Sequence, residues 1–347
     1  MKRIFLCLLA AVMLCTSAAA EQIVLTFVGD CIVGDQYNLR WYPRAFTTLM
    51  TEKGLDYPFS GFIDVFRNDD ITIANCEGVF TTRKLAKGAK IKSMCAPPYF
   101  AEVFALGDVE VCNITNNHGH DFGQEGREDT IEALTEYGVG YFGDKHTWII
   151  EVKGVKIGFC GYTFPYTDQK MRNFQKRINE LRDAGCTFII ASCHWGSEYK
   201  YNINSAQREV GTKLIDMGAD LVYGHGPHVL HPLRWYNGSL IVYSMANFTF
   251  GADPEPNDDD TAVLQVVLDV NEDGTVTEHS LTVIPAKMHQ NSDYRPWPIE
   301  DEDGKRQVWK KMYSDGSGKN PASGLPASFL ETGYVDLTEL QQEESAE

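Results

Sequence analysis

Ile23-Val24-Leu25-Thr26-Phe27-Val28-Gly29-Asp30 is the stretch on which the fold turns. Its apolar, largely β-branched part predicts a strand, Ile23–Val28, that ends at once in a glycine and a carboxylate, with Asp35 soon after. The pattern recurs. Ile71–Ala74 runs into Asn75-Cys76-Glu77-Gly78, and Val109–Ile114 precedes Asn116-Asn117-His118-Gly119-His120-Asp121-Phe122-Gly123. Thr187–Cys193 ends in His194-Trp195-Gly196-Ser197-Glu198, and Leu221–Tyr223 in Gly224-His225-Gly226-Pro227-His228.

Helical periodicity fills the gaps between these runs. Tyr99–Leu106 follows Pro97-Pro98, Glu125–Tyr137 stops at Gly138, and Gln169–Ala184 and Ser205–Met217 are amphipathic. Strand–helix–strand alternation predicts a layered α/β domain. Hairpins interrupt it: Lys153-Gly154 and Asn237-Gly238 are tight turns, and Ala262–Val270 meets Val276–Ile284. The sheets are therefore expected to be mixed, with Lys156–Cys160 as a further strand and antiparallel pairs concentrated in the second half.

In open α/β sheets, ligands bind beyond the carboxyl ends of the strands. Five such ends carrying Asp, Glu, Asn or His point to one pocket. Strand alternation puts Asn75 and Glu77 on one side and Cys76 on the other. Carboxylates with imidazoles suit manganese, zinc or iron, one ion or two, and such an ion would activate water near neutral pH. Each residue taken singly also suits a turn or a helix cap. What argues for a common pocket is clustering, since six of nine histidines lie in Asn116–Asp121, at His194 or in His225–His231. His120 and His231 have the weaker claim, and His146, His279 and His289 have no such context. Neither a G-x-S-x-G elbow nor a phosphate-binding P-loop is present.

Lys2 and Arg3, an apolar run Ile4–Cys15 and Ala18-Ala19-Ala20 form the layout of a signal peptide, residues 1–20. The run is about twelve residues, against the roughly twenty that span a bilayer. An exported protein of the envelope or the extracellular space is expected, with an uncleaved anchor or a lipid on Cys15 as the tethered alternatives. Removing Lys2 and Arg3 takes the formal charge from −17 to −19. That charge excludes nucleic acid as a partner. It also opposes an anionic polymer, unless bound cations or a basic rim of Lys84, Lys87, Lys90 and Lys92 reverse the local field. Seven cysteines follow the leader without a C-x-x-C pair. A disulfide framework is not expected, although a single bridge stays open. After about Pro285 the periodicity fades, and residues 291–347 read as an acidic, partly irregular extension to a domain of residues 21–290.

Val28-Gly29-Asp30, Asn75-Cys76-Glu77, Asn116-Asn117-His118 through Asp121-Phe122-Gly123, His194-Trp195-Gly196, Gly224–Val229 and Tyr243–Phe248 stand in the order of the bacterial capsule-synthesis CapA (PgsA) family, which the chain resembles from about Ile23 to Phe250. That family is associated with poly-γ-glutamate production and in turn resembles calcineurin-like metallophosphatases. The resemblance implies a four-layer αββα sandwich with a two-metal site. It implies Asp30 as first ligand, Glu77 or Asn75 at the bridging position, and Asn117, His194 and His228 as further ligands, with His118 and Asp121 as catalytic residues. Two departures bear on the number of ions: Ile32 stands where a histidine is expected, and His225 is displaced by one residue from the final G-H-x-H. The implied activity is hydrolysis of a phosphoester or of a polymer amide, within reach of a membrane polymer-synthesis complex. The alternative is a non-catalytic envelope component that binds or guides an extracellular polymer.

Overall fold

A computed structural model describes residues 21–86, 92–252, 256–289, 293–314 and 324–346. The signal-peptide reading, and Lys87 and Lys90 of the basic rim, lie outside the described residues. The first half runs β1 (Glu21–Ile32), β2 (Asp35–Gln36), α1 (Phe46–Lys53), α2 (Ile63–Phe66), β3 (Ile71–Cys76), β4 (Val79–Phe80) and β5 (Met94–Ala96). It continues through α3 (Glu102–Leu106), β6 (Val111–Asn113), α4 (Gly123–Glu136) and β7 (Gly140–Phe142). Next come β8 (Trp148–Val152), β9 (Val155–Thr163), α5 (Asp168–Asp183), β10 (Phe188–His194), α6 (Ser205–Asp216) and β11 (Leu221–His225). β12 (Leu233–Tyr236), β13 (Ser239–Val242), β14 (Asn247–Phe250), β15 (Asp260–Val270) and β16 (Val276–Lys287) follow. The chain closes with β17 (Trp297–Pro298), α7 (Glu302–Tyr313), α8 (Phe329–Thr332), β18 (Tyr334–Asp336) and α9 (Leu337–Ala346).

Two large mixed sheets carry the architecture. The first has the order β17-β16-β15-β1-β3-β6-β7, with β14 beside β1 and β18 beside β16; the second runs β12-β13-β11-β10-β9-β8. β1, β3, β6 and β7 are mutually parallel, as are β9, β10, β11 and β13. Leu25, Phe27, Ile73 and Leu264 on the first sheet and Phe159, Ile190, Tyr223 and Val242 on the second belong to one buried cluster. The other face of the first sheet, at Val28, Ala74 and Cys112, packs on Phe46 and Met50 of α1, Phe104 of α3 and Leu134 of α4. The other face of the second, at Cys160, Ile189 and Val222, packs on Phe174 and Ile178 of α5 and Leu214 of α6. Helix, sheet, sheet and helix therefore form the four expected layers. Each large side chain so buried contributes about 1.5–3 kcal/mol.

The helix caps follow local chemistry. Asn204 and Gln207 close a reciprocal capping box at α6, and Thr167 accepts from the Lys170 amide at α5. Among the described residues all seven cysteines are free and buried. The segment after Pro285, where the sequence periodicity fades, contains regular elements. Asp301 accepts from the Gly304 amide as the cap of α7, so the acidic run begins a helix, where negative charge is favoured. Val308, Trp309, Met312, Phe329, Val335 and Leu337 join the inter-sheet cluster. Among the described residues, no helix is long and apolar enough to cross a membrane.

Candidate metal centre

Asp30 ends the straight part of β1 and is fully buried. It stands in register with Asn75 of β3 on one side and Asn247 of β14 on the other, both parallel. The register slips between Phe27 and Asp30, which re-aims the carboxylate. Gly29 permits this approach, because a Cβ there would sit 2.3 Å from the Ala246 carbonyl oxygen.

A ladder of amides orients Asp30. Its carboxylate can only accept, so Asn75 Nδ2 donates to Oδ1 at 2.8 Å. Asn75 Oδ1 is thereby turned toward Asn113 Nδ2 at 2.8 Å and Asn116 Nδ2 at 3.1 Å. Both polar atoms of Asn75 are engaged, which makes it a strut behind Asp30. The Gly226 amide donates to Asp30 Oδ2 at 3.1 Å.

The second sheet supplies nitrogen. His225 Nε2 lies 2.7 Å from Ser192 Oγ and 3.2 Å from Asn113 Nδ2. A proton on Nε2, donated to Ser192 Oγ, leaves the Nδ1 lone pair facing His194 Nδ1 at 2.9 Å and Asp30 Oδ1 at 3.9 Å, as a ligand requires. His194 then presents Nε2 3.9 Å from Glu77 Oε1. His228 places Nδ1 3.2 Å from Asp30 Oδ2 and 2.8 Å from Asn247 Oδ1. Two backbone positions here are held in the left-handed region, His228 at φ 59° and Ala246 at φ 60°. Such conformations in non-glycine residues concentrate at functional sites.

Asp30, His194 and His225 form one compact donor group, and Asp30, Glu77 and His228 another; within each, the ligand atoms lie within 4.8 Å of one another. Asp30 is common to both, a place the resemblance gave to Glu77 or Asn75. Both Glu77 oxygens are buried without a hydrogen-bond partner, an arrangement that a bound cation satisfies and a dry pocket does not. Burial, then Asp30, pushes the Glu77 carboxyl up to about 7. Burial and His228 push His225 down to about 3, and burial and His225 hold His194 well below its usual value, so both imidazoles are neutral, as ligands require. His228 runs the other way. Burial would lower it, but Glu77 and Asp30 outweigh that and raise it to about 10. Burial likewise opposes the Asp30 charge, and His228 with His194 reverses the balance and lowers its pKa.

His118 stands at the rim, 9% exposed, with Nδ1 2.6 Å from Asp121 Oδ2. The Met94 amide also donates to that oxygen, at 2.8 Å. Asn117 is exposed, while its neighbour Asn116 is buried and bonds Asn75 and the Cys76 carbonyl. His120 is exposed, and His231 uses both ring nitrogens, on the Lys200 carbonyl and Gln207. Asn113, Ser192 and Asn247 were not singled out from the sequence. The available signal for Asn113 and Ser192 was a polar residue inside an apolar strand run. Ile32, at the position of the expected histidine, packs among Met94, Phe250 and Met288. A third carboxylate group, Asp258 to Asp260, is already paired with Lys287 and Lys311.

Comparison with known proteins agrees with the residue pattern. A family model described as bacterial capsule synthesis protein PGA_cap matches residues 24–252, well over half the chain. The chain is 29% identical over 309 residues to the PGA biosynthesis protein CapA of Bacillus subtilis, covering 82% of this chain and 75% of that one. It is 25% identical over 323 residues to the capsule biosynthesis protein CapA of Bacillus anthracis, covering 86% and 74%. Among solved structures, a hypothetical protein from Thermus thermophilus overlaps with a TM-score of 0.46 at 16% identity, covering 80% of this chain and all of that one. The purple acid phosphatase PPD1 of yellow lupin overlaps with a TM-score of 0.38 at 10% identity, covering 81% and 54%.

Proposed function

We infer a function from one premise: the chain belongs to the bacterial capsule synthesis protein PGA_cap family. The reading is an exported protein of capsule or poly-γ-glutamate synthesis that works as a metal-dependent hydrolase on a phosphoester or a polymer amide. The observation that carries it is the shared Asp30, one buried carboxylate serving two adjoining donor groups whose other carboxylate, Glu77, has no hydrogen-bond partner on either oxygen. Asp30, His194 and His225 would hold one divalent cation, manganese, zinc or iron, and Asp30, Glu77 and His228 a second. When bound, such cations supply a positive field that polarises a phosphoryl or carbonyl oxygen.

The chain's own residues supply the rest. Asp121 fixes the His118 ring and draws the proton to Nδ1, leaving Nε2 to exchange a proton with a reacting group. The Met94 amide keeps Asp121 in place, so His118 is oriented through two linked contacts. Asn75, Asn113 and Asn116 hold Asp30 in one rotamer, and Asn247 does the same for His228.

Elemental analysis of the purified chain, beside hydrolysis of a chromogenic phosphodiester and of a γ-glutamyl oligomer, tests the reading. Stoichiometric metal together with metal-dependent turnover of either substrate is the expected result. Absence of metal at neutral pH removes the proposal. The apolar Ile32 at a ligand position favours a second reading, a non-catalytic guide for an anionic polymer. Bound metal without turnover of either substrate, together with polymer binding, would select it.

A further inference from the structure

A cavity of about 990 Å³ lies between the loop after β10 and helix α7. It begins one ring away from the metal centre. Tyr199 lines it and stands 5.9 Å, centroid to centroid, from the His228 ring. The Tyr199 amide donates to the Pro227 carbonyl at 2.8 Å, and its backbone sits at φ 58°, a conformation that bulky residues adopt only where their surroundings impose it.

Charge distinguishes this cavity from the rest of an acidic molecule. Lys200, Lys310 and Lys311 line it. Lys311 is spent, clamped between Asp258 and Asp260 at 2.6 Å each. Tyr201 Oη donates to the same Asp258 at 2.8 Å, so one aspartate ties the loop and α7 together as the two walls. Lys200 and Lys310 are exposed and, among the described residues, have no ion-pair partner. In a chain of net charge −17, two unspent ammonium groups facing one cavity beside a cation-binding centre form a local inversion of the field. The volume suits several units of a chain molecule.

We propose that this cavity is a recognition subsite for a multiply anionic oligomer whose reacting bond lies at the metal centre, and that α7 is its specificity element. The proposal deepens the hydrolase reading, on which its link to a reacting bond rests. The centre lies within residues 24–252, the part matched by the family model, and α7 with Lys310 lies beyond it. Lys200 and Lys310 act by charge-assisted hydrogen bonds to carboxylate or phosphate oxygens, with Tyr201 as an apolar shelf.

The test is calorimetric titration of the full chain with a glutamate decamer, with inorganic tripolyphosphate and with an uncharged dextran oligomer. The double variant Lys200→Gln/Lys310→Gln and the reversal Lys310→Glu are titrated alongside, with melting temperature and manganese stoichiometry recorded. The expected result is binding of one or both anions and none of dextran, weakened about tenfold or more in the double variant and further in the reversal, with melting and manganese uptake retained. The decamer binding alone assigns carboxylates, and tripolyphosphate alone assigns phosphates. Equal affinity in wild type and double variant, or no anion binding at all, overturns the subsite. Lysine-dependent binding in a chain that takes up no manganese keeps the subsite and removes the hydrolase reading, so the two fail separately.

Discussion

His228 Nδ1 sits 3.2 Å from Asp30 Oδ2, a charge-assisted contact between a side chain of β1 in the first sheet and one of the loop that follows β11 in the second. The same aspartate faces His225 and takes an amide from Asn75. Its removal therefore touches every part of the centre. Asp30→Asn is expected to abolish binding of both ions, whereas His194→Ala and His228→Ala each leave one. Mass-spectrometric metal counts on the three variants decide this, and retention of two ions in Asp30→Asn would refute the bridging role.

His118 holds no place in either donor group. His118→Ala is expected to lower kcat about 10²- to 10⁴-fold with metal content unchanged, the range that loss of a positioned acid or base produces. Asp121→Asn leaves the imidazole in place but loosens its orientation, so a smaller loss with a displaced pH profile is expected. A normal rate in His118→Ala would remove it from the chemistry.

Asn75 has a structural task that shows in stability. Truncation to Ala strips a donor from Asp30 and an acceptor from Asn113 and Asn116, all buried. Leaving such groups unpaired costs about 2–3 kcal/mol. Asn75→Ala should melt several degrees lower, by calorimetry, even without metal; an unchanged melting temperature would show that the ladder carries no stability.

Glu110 gives the fold a pH dependence away from the site. Burial, then Asp69 and Asp108, raises its carboxyl from 4.5 to about 7, despite the hydrogen bond from the Thr72 amide. Between those values the folded chain holds a proton that the unfolded chain releases, so stability falls as pH rises from about 5 to 7 and the loss persists above. Glu110→Gln keeps an acceptor for Thr72 and cannot ionise. Its melting temperature relative to wild type should rise from pH 5 to pH 8, and parallel curves for the two proteins would exclude the mechanism.

The residues legible in the sequence share a physical property: they stop an apolar run. Asp30, Glu77, His194 and His225 stood out because strands end where ligands bind, and the structure brings all four together with His228. Asn113 was hidden, since it lies within a run that reads as uniform core, and Asn247 because it begins its strand. Its partner Asp30 is named by the β1–β14 pairing, which no local pattern reports. The layers were legible for the same local reasons, from strand runs and helix periods. α7 was not: Gly304 and the acids before it read as irregular chain, although Asp301 is a cap and Val308, Trp309 and Met312 a buried stripe.

The pairing of β1 with β14 sets an order of events. Asp30 is among the earliest described parts of the chain to be synthesised, yet its strand neighbour arrives only at Asn247. A nascent chain presents Asp30 without the neighbour that completes its surroundings. An ion held by this centre would thus be captured only after about residue 247 of 347 has been made, so the ions present where folding finishes would select the occupant of the site.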